Sequence, residues 1–451
     1  MAINIPDGVR GVMTALVAHG YEAYVVGGCV RDALLGRMPS DWDVCTSALP
    51  DEVAELFARE GRHVIPTGLK HGTVTVLADE MPVEITTFRI DGGYADGRRP
   101  STVAFTASVE EDLRRRDFTI NALAADLDER IVDPYGGQCD IERGIIRCVG
   151  DANERFGEDY LRILRALRFA AVLGFEIDRA TSVAIHANRA SVAGISAERV
   201  RVELMKLLAG ERAAELLRDY AEVFAVIVPE LAPMFGFAQN TPWHSYDVWE
   251  HTLRSVAAAP QDALLRMTML LHDIGKPHRY TQDEQGIGHF YGHGEVSAAL
   301  ADAILRRLRY DNATRVAIVE LVRHHDRHVS ADARSLRRTL NVLGEEQTER
   351  LLAVKLADSS AQNLVKTGAR LRELGATQEL LREIIEQRQC FSALDLAVNG
   401  RDILALGAKA GPQIGETLDA LLAAVIDGTL QNDADELLSA AREMLAKNDE
   451  M

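Results

Sequence analysis

Residues 23–46 read AYVVGGCVRDALLGRMPSDWDVCT. The stretch from Glu22 to Val26 has strand character and runs straight into Gly27-Gly28. Val30 to Leu35 has helical spacing and stops at Gly36, and Asp41 to Thr46 is a second short strand. Two glycines at a strand-to-helix turn let backbone approach a phosphate closely, and the start of the helix offers free N–H donors. Arg31 adds a charge-assisted fork for the same anion. Asp41 and Asp43 stand two apart, so on a strand both point to one side. Two carboxylates on one side suit a pair of Mg²⁺ ions, which activate an attacking hydroxyl and stabilise a leaving pyrophosphate. A DxD pair alone is common on surfaces, and Gly-Gly before a helix is often only a turn. The information lies in their order and spacing.

Working outward, Pro50 to Arg59 reads as a helix, while Thr73 to Leu77 and Val83 to Phe88 alternate as strands do. Glu84, on the later strand, is the candidate third carboxylate. Arg89 to Pro100, rich in Gly, Asp and Arg, has no period and reads as a loop. Val109 to Leu123 returns to helical spacing. Beyond Asp151 nearly everything reads as helix, for example Leu161, Leu164, Leu167 and Ala171 on one face. The expected fold class is α+β: a mixed-sheet head with helices (1–145), a helical neck (146–240), a histidine-rich helical domain (241–390) and a helical tail (391–451).

Composition narrows the options. Of 451 residues, 47% are hydrophobic and 26% charged, which excludes a disordered chain. No apolar run is long enough to span a bilayer, and the N-terminus lacks the pattern of a signal peptide. Five scattered cysteines without CxxC spacing point to a reducing cytoplasm rather than a disulfide framework. A formal charge of −18 taken alone opposes RNA binding. The arginines are clustered, however, at Arg98-Arg99, Arg114-Arg115-Arg116 and Arg162, Arg165, Arg168, and binding depends on local fields.

Seven motifs occur in order: GGCVRDALLGR, DWDVCTSALPDEV, VEITTFR, GRRP, RRRDFTINALA, DPYGG and RFGEDYLRILRALRFAA. The first two resemble the nucleotidyltransferase superfamily that includes DNA polymerase beta. The full set resembles the bacterial class II CCA-adding enzyme and poly(A) polymerase family. The resemblance implies that Asp41 and Asp43 hold Mg²⁺, that Gly28 and Arg31 meet the triphosphate, that Arg116 contacts the nucleotide, and that Asp117 and Asn121 read the ribose. Asn121 as a helix cap is the competing reading. The partners implied are tRNA, CTP and ATP. The family motif EDxxRxxR falls at Glu158, Asp159, Arg162 and Arg165. Placed at i and i+3 of one helix, Asp159 and Arg162 would offer an acceptor and a donor fork side by side, mimicking the edge of a pairing base. Arg165 and Arg168 spiral away from them and are expected to meet phosphates. The competing reading is a surface ladder of ion pairs.

A second constellation runs His251, His272-Asp273, His293, His324-His325 and Asp358. Imidazole with carboxylate suits Mn²⁺, Ni²⁺, Zn²⁺ or Fe²⁺. The order H…HD…H…HH…D resembles the HD phosphohydrolase superfamily, with enough ligands for two ions, Asp273 as the bridge and Lys276 on the substrate phosphate. The expected substrates are phosphate esters or 2′,3′-cyclic phosphates. His244, His278, His289 and His328 match no motif position.

Other readings compete. A poly(A) polymerase of the same family, or an enzyme adding only the terminal A, shares these motifs; the acidic tail LAKNDEM and the absence of a basic one favour CCA addition. An HD nucleotide hydrolase with a degenerate head, or an RNA-binding protein without catalysis, would not need Asp41, Asp43, Arg116, Asp159 and Arg162 together. Monomer and homodimer are both open.

Overall fold

A computed structural model describes residues 3–69, 72–79, 81–93, 97 and 102–449, without the side chains of 67 and 447–449. The chain divides into two compact units, Met1–Pro229 and Glu230–Met451. The break lies ahead of the Thr241-Pro242 boundary suggested by sequence.

The first unit is built on a seven-stranded sheet. Its strands are β1 (Ala23–Val26), β2 (Asp43–Thr46), β3 (Val64–Gly68), β4 (Thr73–Ala78), β5 (Met81–Thr87), β8 (Ala124–Ala125) and β9 (Ile131–Val132), while β6 (Arg89–Asp91) and β7 (Val103–Phe105) form a separate ribbon. The sheet order is β3-β4-β5-β2-β1-β8-β9, and only β2 and β5 run parallel. Alternation in TVTVLA buries Val74, Val76 and Ala78 and leaves the threonines half-buried, as a one-sided strand requires. Helices α1 (Asp7–Ala18), α2 (Gly28–Leu34), α3 (Pro50–Arg59), α4 (Val109–Arg114) and α5 (Gly137–Arg143) accompany the sheet. Proline opens α3, and the Glu52 carboxylate accepts from the Leu49 backbone N–H at 2.8 Å, which fixes where that helix begins.

Helices α6 (Ala152–Glu158), α7 (Leu161–Leu173), α8 (Arg179–Ala187), α9 (Ala197–Leu208), α10 (Ala213–Asp219) and α11 (Ala221–Ile227) complete this unit. The second unit contains α12 (Val248–Ala258), α13 (Ala263–Leu271), α14 (His293–Arg307), α15 (Asn312–His324), α16 (Ala333–Leu343), α17 (Glu345–Ser360), α18 (Leu364–Glu386), α19 (Gly400–Ala405), α20 (Pro412–Asp427) and α21 (Ala434–Asp449). Ile403, Leu421 and Leu437 centre a separate apolar cluster within its C-terminal helices.

Three local expectations change. Arg89–Asp91, read as loop, pairs with Val103–Phe105, and an Arg89–Asp91 ion pair at 3.1 Å braces the ribbon. The Arg98-Arg99 cluster lies outside the described residues. The helix expected from Val109 to Leu123 stops at Arg114. Asp117 accepts the N–H of Phe118 through its own side chain at 2.9 Å, and Phe118 is extended and bridged to Cys148. That side-chain bond offers the backbone an alternative to helix. Finally, β2 begins at Asp43, so Asp41 lies just before the strand.

Among the described residues, no helix is long and apolar enough to cross a membrane. All five cysteines are free.

Candidate functional site

The head site is organised by Gly27, the cap of α2, with φ 83°. A Cβ there would also come within 2.9 Å of Arg116 Nη1, so the turn needs glycine on both counts. Cys29, in the first turn of α2, lies beside Asp43, which brings the strand carboxylate to the glycine turn. The parallel register pairs Asp43 directly with Glu84, so the two side chains leave the sheet on the same side. Asp41 and Glu84 are exposed and Asp43 is half-buried, with Trp42 buried between the two aspartates. Burial pushes the Asp43 carboxyl up to about 6; Asp41 and Glu84 add to this, and Arg116 opposes it. Among the described residues these three carboxylates do not form a group whose oxygens all lie within 4.8 Å of one another, but their all-oxygen chemistry suits a hard cation such as Mg²⁺, which would relieve their mutual repulsion.

The neighbouring cations are tightly partnered. Arg116 binds Asp112 at 3.2 Å, and Arg115 binds the same carboxylate at 2.7 Å. Burial alone would raise Asp112, but these two guanidinium groups hold it below its usual range. Arg31 Nη1 donates to Asn121 Oδ1 at 2.6 Å, Asn121 Nδ2 donates to Asp117 Oδ1 at 3.0 Å, and Asp117 pairs with Arg165 at 2.6 Å. Despite complete burial, Arg165 and Asn121 bring Asp117 down to about 2. Asn121 is therefore a link in a polar chain and caps no helix.

Phe169 underlies this chain, a role that helical spacing could not separate from ordinary core packing. The guanidinium carbons of Arg31, Arg165 and Arg168 lie 5.0, 5.3 and 3.9 Å from its ring centroid.

One expectation for the neck is corrected. Asp159 and Arg162 do not share a helix, because α6 ends at Glu158 and Asp159 is extended, with φ −140° and ψ 108°. Asp159 pairs with Arg199 at 2.7 Å and accepts the N–H of Leu161 at 3.0 Å. Arg162 pairs with Glu158 and donates to the Arg115 carbonyl at 2.9 Å. Arg165 and Arg168 are ion-paired, with Asp117 and with Glu203, the latter at 2.8 Å. Gly157, near the end of α6, was the one weak sequence sign of the break.

In the second unit the sequence motif converges on one buried point. His251 Nε2 lies 3.3 Å from Asp273 Oδ2 and 3.0 Å from Asp358 Oδ1; His272 Nε2 lies 3.2 Å from Asp273 Oδ2; His293 Nε2 lies 3.3 Å from Asp273 Oδ1. Two groups of donors could each hold an ion, His251–His272–Asp273 and Asp273–His293–His325, and they share Asp273. The Nδ1 atoms of His272, His293 and His325 sit 2.6, 2.9 and 2.6 Å from the carbonyls of Met269, Phe290 and Val322. A ring whose Nδ1–H is used in this way presents its Nε2 lone pair inward. Yet Nε2 of His272 faces that of His251 at 3.4 Å, and Nε2 of His293 faces that of His325 at 3.1 Å. His251 Nε2 can donate when that ring is protonated, but His293 and His325 both use Nδ1–H on carbonyls, so their Nε2 lone pairs face each other beside Asp273, a repulsion that a bound cation would relieve. Burial opposes ionisation of Asp273 and Asp358, but the histidines, joined at Asp273 by Lys276, hold both well below their usual range. Burial would lower His251, but Asp273 and Asp358 bring it up to about 9.

His324 is not brought in. It closes α15 half-buried, and burial lowers its pKa. Lys276 Nζ lies 2.7 Å from Asp273 Oδ2. Three of the histidines without a motif position, His244, His289 and His328, line the cavity over this centre. His244 packs edge-on to His251 with ring centroids 4.7 Å apart.

A glycine-turned helix start facing a strand carboxylate cluster is the architecture of a nucleotidyltransferase head. Residues 23–147 match the family profile of the poly A polymerase head domain, and 174–235 match the probable RNA and SrmB-binding site of polymerase A. Residues 279–441 match a putative second domain of tRNA nucleotidyltransferases. The chain is 36% identical over 436 residues to the CCA-adding enzyme of Geobacillus thermodenitrificans, covering 95% of this chain and 94% of that one. It is also 36% identical over 434 residues to that of Lactiplantibacillus plantarum, covering 96% and 95%. The crystal structure of the Bacillus stearothermophilus CCA-adding enzyme in complex with CTP superposes with a TM-score of 0.73 at 32% identity, covering 98% of each chain. The chain belongs to the CCA-adding enzyme family and is a tRNA nucleotidyltransferase.

Proposed function

We propose that this chain adds C, C and A to the 3′ end of tRNA, using CTP and ATP and releasing pyrophosphate. The carrying observation is the placement of Asp43 opposite Glu84 and beside the Gly27 turn. The 3′ hydroxyl attacks the α-phosphate of the incoming nucleotide, and the P–O bond to pyrophosphate breaks. Asp41, Asp43 and Glu84 would hold the divalent cation, which when bound would supply charge neutralisation at the attacking and leaving oxygens. Gly28 and Arg31 orient the triphosphate at the start of α2. Arg116 faces the same site from beneath the glycine turn, and Asp117 and Asn121 are assigned to the ribose. Asp159 and Arg162 select the base by exchanging their present partners, Arg199 and Glu158. Incubation with tRNA lacking its 3′ end, Mg²⁺ and each nucleotide separately tests this reading. Two C and one A followed by arrest are expected. Unlimited A addition would make the protein a poly(A) polymerase instead.

The buried histidine–aspartate centre supports a second activity, hydrolysis of phosphate esters, including 2′,3′-cyclic phosphate ends. His251, His272, His293, His325, Asp273 and Asp358 would hold one or two transition-metal ions such as Mn²⁺, Ni²⁺, Zn²⁺ or Fe²⁺, and the bound metal supplies a water nucleophile at neutral pH. Lys276 stands ready to neutralise substrate phosphate. Only a free 3′ hydroxyl can be extended, so end cleaning fits the transferase. A chain loaded with each of these metals in turn that leaves every ester intact would remove this second activity.

A further inference from the structure

The cavity over the histidine–aspartate centre encloses about 760 Å³, far more than a phosphate group needs. Two kinds of side chain in its wall are unexplained by phosphate chemistry. The first is aromatic: Tyr291 is 77% exposed and Trp243 is 53% exposed, and both line the cavity. Tyr291 is not a loose ring. It stacks on His289 with centroids 5.3 Å apart and planes 8° from parallel, and His289 is tied to Asp283 at 3.0 Å. One ring face is thus backed, while most of the side chain stays open to solvent. Open, rigid aromatic surface beside a phosphate-binding centre is what a nucleobase stacks upon.

The second kind is cationic. Lys366 and Arg370, i and i+4 on α18, line the same cavity. Neither side chain has an ion-pair partner among the described residues. Asp326, Asp358 and Glu373 line the cavity as well, so Lys366 and Arg370 act as local donors to a phosphate and not through a net positive field. Lys276 already lies against Asp273, so these two are additional to the charge needed at the reacting phosphate.

We propose that the cavity takes the 3′ end of an oligoribonucleotide, with its terminal base on the Tyr291 and Trp243 surfaces and the preceding backbone phosphate on Lys366 and Arg370. The proposal rests on the hydrolytic reading of the centre for the position of the terminal phosphate. It deepens that reading by making the centre selective for nucleic-acid ends over small phosphate esters.

The test is calorimetric binding to the full, metal-stripped chain, which separates recognition from turnover. The probes are the dinucleotide CpC with a terminal 3′-phosphate, cytidine 3′-monophosphate, and ribose phosphate without a base. The dinucleotide is expected to bind tightest and the base-free sugar weakest. Tyr291→Ala should weaken both base-bearing probes about tenfold and leave the sugar unchanged. Lys366→Ala combined with Arg370→Ala should weaken the dinucleotide alone and flatten its salt dependence. Nucleotide binding in the first unit is common to all variants, so for each probe the cavity's share is read as the difference between the parent chain and the variant. All four side chains are at least partly exposed, and equal melting temperatures would confirm intact folding. Equal binding of the three probes, or indifference to Tyr291→Ala, overturns the proposal, as does a mononucleotide bound as tightly as the dinucleotide. Base-dependent binding without hydrolysis by the metal-loaded chain upholds the cavity assignment and overturns only the hydrolytic reading. Hydrolysis of glycerol phosphate without base preference does the reverse.

Discussion

At the residue scale, Asp43 carries the most consequence. Its carboxyl is pushed up to about 6 by burial and by its acidic neighbours, above the ordinary carboxylate value of about 3.9. A raised folded-state value means the metal-free fold binds this proton more tightly than the unfolded chain, so protonation stabilises it at low pH and that gain is lost as pH rises through about 6. A cation held by Asp43, as proposed, would need the deprotonated form and would have to displace the proton below that pH. The Mg²⁺ concentration for half-maximal transfer is therefore expected to climb as pH falls below about 6, measured by nucleotide incorporation at fixed tRNA. A flat Mg²⁺ requirement from pH 7 to pH 5 would contradict this. Gly27→Ala should reduce incorporation by more than tenfold without unfolding the head, since both its φ and Arg116 reject a methyl group. These residues were legible because their chemistry is local: a turn, a two-residue spacing, a strand partner. Phe169 was not, since an aromatic at helical spacing looks the same whether it fills a core or carries three guanidinium groups.

At the element scale, the instructive feature is the break between α6 and α7. The sequence FGEDYLRIL contains no proline at the break, and its apolar spacing continues, so Asp159 reads as helical. The break instead depends on distant partners, Arg199 for the Asp159 carboxylate and Arg115 for the Arg162 guanidinium. Asp159→Ala is expected to relax the choice between CTP and ATP more than it slows transfer, read as the ratio of incorporation with each nucleotide alone. Unchanged selectivity would remove Asp159 from base recognition. Phe169→Ala should destabilise the first unit by about 3 kcal/mol through lost packing and lost cation–π contact, followed by hydrogen exchange of the α7 amides. The histidine centre was more legible than the neck because metal-ligating types in a fixed order are rare. His324 misled because adjacent histidines point to different sides of a helix end, and only one of them reaches the centre.

At the scale of the whole molecule, the two candidate sites lie in separate compact units. Asp43→Ala is expected to abolish nucleotide transfer while sparing ester hydrolysis, and Asp273→Ala to do the opposite; parallel loss in both assays would show that the units do not act independently. The division between a sheet-based head and a long helical remainder was readable from the change of period near residue 150. The aromatic wall of the second cavity was not, because it assembles Trp243, His289 and Tyr291 from stretches that match no motif.

The chain of contacts Arg31–Asn121–Asp117–Arg165 has a consequence for timing. Arg31 divides its guanidinium between Asn121 and Asp32, so a triphosphate that drew it away would leave the Asn121 oxygen without that donor while its Nδ2–H still faces Asp117. Occupancy of the glycine turn would thus be felt first at the amide that joins Arg31 to Asp117, one ion pair away from Arg165 on α7.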